Sequence, residues 1–137
     1  MLLYLLYSDE FIWGLMNAII SIKPQFVEEI KARAKRYEYR KAVFKQPVEK
    51  VFVYESAPVS RIVGEFRPLA VVSGTPEEVW PLTKQYSGIK KEWYDRYYEG
   101  RELAYAITIG DFKPYSMPIK LKLGFKAPQS FCYVEEL

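Results

Sequence analysis

The stretch IISIKPQFVEEIKARAKRYEYR, residues 19–40, decides how this chain is read. Residues 19–22 are apolar and β-branched apart from Ser21, which predicts a short buried strand. Pro24 follows and suits a first helical position, where no amide hydrogen is needed. Phe26, Val27, Ile30 and Ala34 recur at helical spacing, so residues 24–34 are expected as a helix with one apolar face. Residues 36–40 then alternate. Tyr37 and Tyr39 point one way, towards the core; Arg36, Glu38 and Arg40 point the other way.

Working outward, residues 50–55 (KVFVYE) are β-branched and aromatic, and read as a strand. Residues 60–72 read as one or two more, with Gly64 as a bulge and Pro68 as a break. Thr75-Pro76-Glu77-Glu78 is a capping box with proline at the first helical position, opening a helix to about residue 86. Gly88 ends it. A third helix is expected over residues 90–98, stopped by Gly100. Its Trp93 and Tyr97 share a face with Ile89, which the spacing assigns to the core side. Residues 104–109, 119–123 (IKLKL) and 130–134 (SFCYV) read as the closing strands. Many short strands with about three flanking helices predict an α+β domain built on a small mixed β-barrel.

A length of 137 residues fits one domain. Half the residues are apolar and 17% aromatic, enough for a real core. The net charge is only +3, but residues 31–45 hold seven cations against the single acid Glu38, so that window alone carries +6. Charge gathered in this way can steer an anionic ligand; it also suits a solvated helix face. The chain has no histidine, which excludes a Ser-His-Asp triad, a Cys-His pair and histidine metal sites. Its one cysteine, Cys132, lies between Phe131 and Tyr133 and reads as a buried strand thiol. With no internal disulfide possible, the expected setting is the reducing cytoplasm. No phosphate-loop, dinucleotide-binding or paired-cysteine metal motif is present, and no cofactor or metal is expected.

Residues 1–15, MLLYLLYSDEFIWGL, are very apolar. Their unbroken run is far short of the ~20 residues a membrane helix requires, and no signal-peptide pattern accompanies it. They are expected as a hydrophobic extension, either an extra helix or sequence upstream of a true start at Met16. The domain proper is then 16–137.

Three constellations can carry chemistry. In Lys35-x-x-Glu38-x-Arg40, Glu38 can orient the Arg40 guanidinium for bidentate contact with phosphate or carboxylate. Lys35, desolvated beside Arg36 and Arg40, would have a lowered pKa and could act as a base or nucleophile. A buried salt-bridge cluster is the structural alternative. Ser21-Ile22-Lys23-Pro24 sets a hydroxyl and an ammonium at a helix start; this suits an anion site or simply a capped helix. The twelve tyrosines offer stacking surfaces for bases, though most of them suit packing.

Taken in order, four segments resemble the ASCH domain of the PUA-like superfamily. They are Ser21-Ile22-Lys23-Pro24, then Lys35-x-x-Glu38-x-Arg40, then Val53-Tyr54-Glu55-Ser56-Ala57-Pro58 leading into Ile62-Val63-Gly64-Glu65-Phe66, and last Lys126-Ala127-Pro128-Gln129-Ser130-Phe131. The resemblance spans residues 17–133. It implies a small barrel with helices around a cleft that binds RNA or a nucleotide-like molecule, lined by Ser21, Lys23, Lys35, Glu38, Arg40, Ser56 and Gln129. Some relatives are amidohydrolases on a modified nucleoside and some are ribonucleases; here Lys35 and Glu38 would be the catalytic pair. The amidohydrolase pattern has threonine three residues after its lysine, where this chain has Glu38. Many relatives carry glycine at the position of Arg33, and a non-glycine residue there disfavours a left-handed cap. A third possibility is a protein-interaction or transcription-related regulatory module that docks through residues 1–15.

Overall fold

The computed structural model describes residues 2–5 and 16–137. Among these residues nine strands and three α-helices alternate. The apolar run after Met16 forms β2 (Met16–Ile22), and Pro24 opens α1 (Pro24–Lys31) with Lys23 as its N-cap. The alternating residues form β3 (Tyr37–Arg40), followed by β4 (Val48–Glu55), β5 (Arg61–Phe66) and β6 (Pro68–Gly74). The capping box is present: Thr75 Oγ accepts from the Glu78 amide, and Glu78 accepts from the Thr75 amide, at the start of α2 (Pro76–Thr83). A short 3-10 helix (Lys84–Tyr86), α3 (Lys91–Tyr97), β7 (Ala104–Ile109), β8 (Lys113–Ile119) and β9 (Phe131–Val134) complete the order.

With β1 (Leu2–Leu5), the strands divide into two sheets, in the orders β1-β6-β7-β3 and β8-β5-β4-β2-β9. Among the described residues they do not join into one closed barrel, so the expected small mixed β-barrel is not confirmed; the α+β class stands. β2 lies parallel to β4, with α1 and β3 in the crossover, and every other pair is antiparallel. Gly64 sits at a register shift as expected, and a Cβ there would collide with the Phe112 ring. The core between the sheets and α1 includes Ala18, Ile20, Val27, Ile30, Val51, Phe66 and Ile107. Removing one such side chain, as in Ile30→Ala, costs about 2–5 kcal/mol.

The expected strand at 119–123 is displaced: the ladder on β5 is made by Lys113–Ile119 instead. Of the expected hydrophobic extension 1–15, Leu2–Leu5 form a strand, β1, paired antiparallel with β6, and not a helix. Residue 1 and residues 6–15 lie outside the described residues, and the expectations of an upstream start or a docking helix fall largely on them. Among the described residues, no helix is long and apolar enough to cross a membrane.

Candidate ligand-binding cleft

The turn after α1 delivers Lys35. Arg33 adopts a left-handed φ of 62°, its amide donates to Ile30 O at 3.0 Å, and the Ala34 amide donates to Glu29 O at 3.0 Å. This is a Schellman closure made without glycine, contrary to the sequence expectation. The two terminal bonds offset a left-handed cost of about 1–2 kcal/mol. Lys35 then forms an isolated bridge with Ser87. Gly88, at φ +64°, packs so closely that a Cβ would collide with the Lys35 Cβ. Glycine at 88 is therefore what lets this turn close over the lysine.

Lys35 is 2% exposed, Glu38 6% and Arg40 8%. Lys35 Nζ donates to Ser87 O at 3.0 Å and lies 3.6 Å from Glu38 Oε1. It also sits 4.9 Å from the Tyr39 ring centroid and 5.6 Å from that of Phe26. Burial pushes its pKa below the ordinary 10.5; Glu38 opposes the shift, and Arg40 adds to it. Arg40 Nη2 donates to Glu38 Oε2 at 2.9 Å and to Ser21 O at 2.7 Å, so the guanidinium ties the edge strand β3 to β2 of the other sheet. Nη1 reaches Ser130 Oγ at 3.4 Å, and Nε is buried without a hydrogen-bond partner. Leaving a buried donor unmade costs about 1–3 kcal/mol. With all three groups ionised, two cations share one carboxylate.

Above this floor opens a cleft of about 820 Å³, lined by Ser21, Lys23, Glu38, Arg40, Ser56 and Gln129. Six of the seven expected residues thus meet there. The seventh, Lys35, lies beneath, behind Glu38, and does not line the cleft. The Ser21 hydroxyl donates to Pro128 O at 2.6 Å and holds the 127–130 segment in place. Lys23 makes no side-chain cap to α1.

The sequence reading missed one wall. Trp93 and Tyr97 stack at 5.1 Å and 16° and face the cleft, with Phe26 edge-on to Trp93 at 4.9 Å. Tyr94 and Tyr98 take the core instead, 1% and 3% exposed. Both pairs are spaced i, i+4, so the spacing could not say which pair faced inward. Lys41 Nζ lies 4.5 Å from the Tyr97 centroid, and Arg101, Tyr54 and Ser130 also line the cleft. Cleft-lining charge is therefore four cations, Lys23, Arg40, Lys41 and Arg101, against Glu38. Among the described residues, no group of three or more His, Cys, Asp or Glu is placed to hold a metal ion.

No family model matches the chain. A curated ASCH domain-containing ribonuclease from Zymomonas mobilis is 26% identical over 127 residues, covering 88% of this chain and 85% of that protein. The crystal structure of ASCH from Zymomonas mobilis matches with a TM-score of 0.79 at 26% identity, over 86% of this chain and 87% of that chain. The large ribosomal subunit protein uL22 of Ureaplasma parvum is 33% identical over 90 residues, which is 64% of this chain but only 29% of that protein. Near full-length agreement in sequence and in fold with the Zymomonas protein, added to the four ordered motifs, supports an ASCH domain family for this chain.

Proposed function

We propose that this chain binds RNA in the cleft above Lys35, Glu38 and Arg40. The observation that carries the reading is the Arg40 guanidinium on the cleft floor, held by Glu38 beneath a rim of cations. An arginine held by a carboxylate and a carbonyl presents its remaining donors in a fixed plane, which suits a phosphate oxygen. The Trp93–Tyr97 stack offers an aromatic surface of the kind that holds an unpaired base. Glu38 accepts hydrogen bonds and suits the amino edge of a base. The relative named as a ribonuclease supports an RNA ligand in particular. Residues 16–137 are the binding unit in this reading, and the cytoplasm its setting.

The test is RNA affinity across a salt series for the wild type, Arg40→Ala and the exposed rim pair Lys41→Ala/Arg101→Ala, each checked for folding by thermal melting. Loss of binding is expected in both variants. The rim pair should flatten the slope of log affinity against log salt by about 1.4, at 0.7 per phosphate contact on a single strand. Unchanged affinity in both variants overturns the proposal.

RNA cleavage is the second reading, favoured by the name of the same relative. Glu38 would then meet the substrate, and Lys35 would hold its carboxylate from beneath. Turnover of a labelled RNA that is lost in Glu38→Gln, with binding retained, would support it. No turnover in the wild type would remove it.

A further inference from the structure

The cleft does not end at its aromatic wall. On the far side of Phe26 and Trp93 lies a second open cavity of about 570 Å³, between α1 and residues 84–90. These two side chains line both cavities, so the edge-on pair is a partition shared by two adjoining spaces. The second cavity carries the exposed cations Lys84 and Lys90 against the single acid Glu29, with Gln25 as a further polar group. Lys35 joins the two from beneath: it pairs with Glu38 under the first and donates to the carbonyl of Ser87, which lines the second.

We infer that the second cavity is a flanking-nucleotide subsite, and that one unpaired RNA strand runs from the Arg40 cleft over the Phe26–Trp93 partition to Lys84 and Lys90. This rests on the RNA-binding reading above and specifies its ligand as a single strand longer than one cavity can hold. An aromatic partition between two cationic spaces separates successive bases by stacking, while the lysines take the phosphates on either side. A duplex has its bases stacked on one another and cannot straddle the pair.

The experiment compares a dinucleotide, an octanucleotide and a duplex of the same sequence, binding to the wild type, Arg40→Ala and Lys84→Ala/Lys90→Ala. Both lysines are exposed, so the double variant leaves the core intact. The wild type should bind the octanucleotide at least tenfold tighter than the dinucleotide, and the duplex weakly. Lys84→Ala/Lys90→Ala should erase that gain, lower the octanucleotide salt slope by about 1.4, and leave dinucleotide affinity unchanged. If Arg40→Ala abolishes binding while the lysine variant matches the wild type on the octanucleotide, the subsite fails and the cleft reading survives. If Arg40→Ala and the rim variant both bind as the wild type does, the cleft reading itself fails. A wild type with no length dependence, or with preference for the duplex, also overturns the subsite.

Discussion

Strand β3 is buried on both faces, and the two faces are finished differently. Behind it, Tyr39, Tyr94 and Tyr98 pack edge-to-face at centroid distances of 4.8–6.5 Å. Each hydroxyl has a partner: Tyr39 OH donates to Thr83 Oγ1 at 2.7 Å, Tyr94 OH to Pro76 O at 2.7 Å, and Tyr98 OH to Arg40 O at 2.9 Å. Burial pushes all three hydroxyls above their ordinary range. In front, Glu38 serves two cations and Arg40 Nε serves nothing. One face is closed by complete hydrogen bonding. The other is left one partner short, on a side chain that lines the cleft. A four-residue strand thus divides the work of folding from the work of binding.

The sharpest way to break this contrast is Glu38→Ala. It leaves Lys35 and Arg40 buried without their shared anion, and stability at pH 7 should fall by about 3–5 kcal/mol in chemical denaturation. A neutral result would mean that the cations are already compensated and the front face is as complete as the back.

Next is Tyr98→Phe on the finished side. Losing its bond to Arg40 O should cost about 1–2 kcal/mol. RNA affinity should be unchanged, because the hydroxyl faces away from the cleft. A parallel loss of affinity would show that the two faces are coupled.

A smaller effect, spread over pH, comes from Lys35→Met. The folded protein holds the Lys35 proton less tightly than the unfolded chain does, because burial lowers its pKa from 10.5. Between that lowered value and 10.5 the unfolded chain binds more protons, so stability rises with pH. Wild type should therefore gain on Lys35→Met as pH climbs towards 10.5, read from paired denaturation curves. The tyrosine contribution is common to both proteins and cancels. A flat difference would mean that Glu38 fully offsets the burial.

The smallest expected effect is at the turn that feeds the front face. Arg33→Gly removes a left-handed cost of about 1–2 kcal/mol and adds a glycine entropy cost of about 0.5–1 kcal/mol. A net gain of about 0.5–1 kcal/mol is expected in thermal melting, with Lys35 undisturbed.

Much of this was legible from residue spacing. Pro24, the Thr75–Glu78 box and the alternation of residues 104–109 each produced the element they predict, because in each the local chemistry and the tertiary structure agree. Residues 119–123 alternate and look like a strand, yet the ladder uses KPYSMPI just before them. Pro114 and Pro118 hide that strand from a sequence reading; it survives because it lies at a sheet edge, where an outward-facing position needs no donor. The Lys35, Glu38 and Arg40 grouping was readable from its spacing. The depth of Lys35 was not, since it depends on Gly88, 53 positions later in the chain. The Trp93 wall was misread for a related reason: helical spacing gives the faces but not which one the sheet covers.

The lone Nε of Arg40 also has a spectroscopic consequence. A proton shielded from water exchanges slowly, so this group should give its own proton–nitrogen resonance in the free protein. An oxyanion bound in the cleft would change the field on this guanidinium and shift that signal, while the tyrosine side of the strand stayed silent. The donor that folding leaves unmatched is thus a built-in gauge of when the cleft is full.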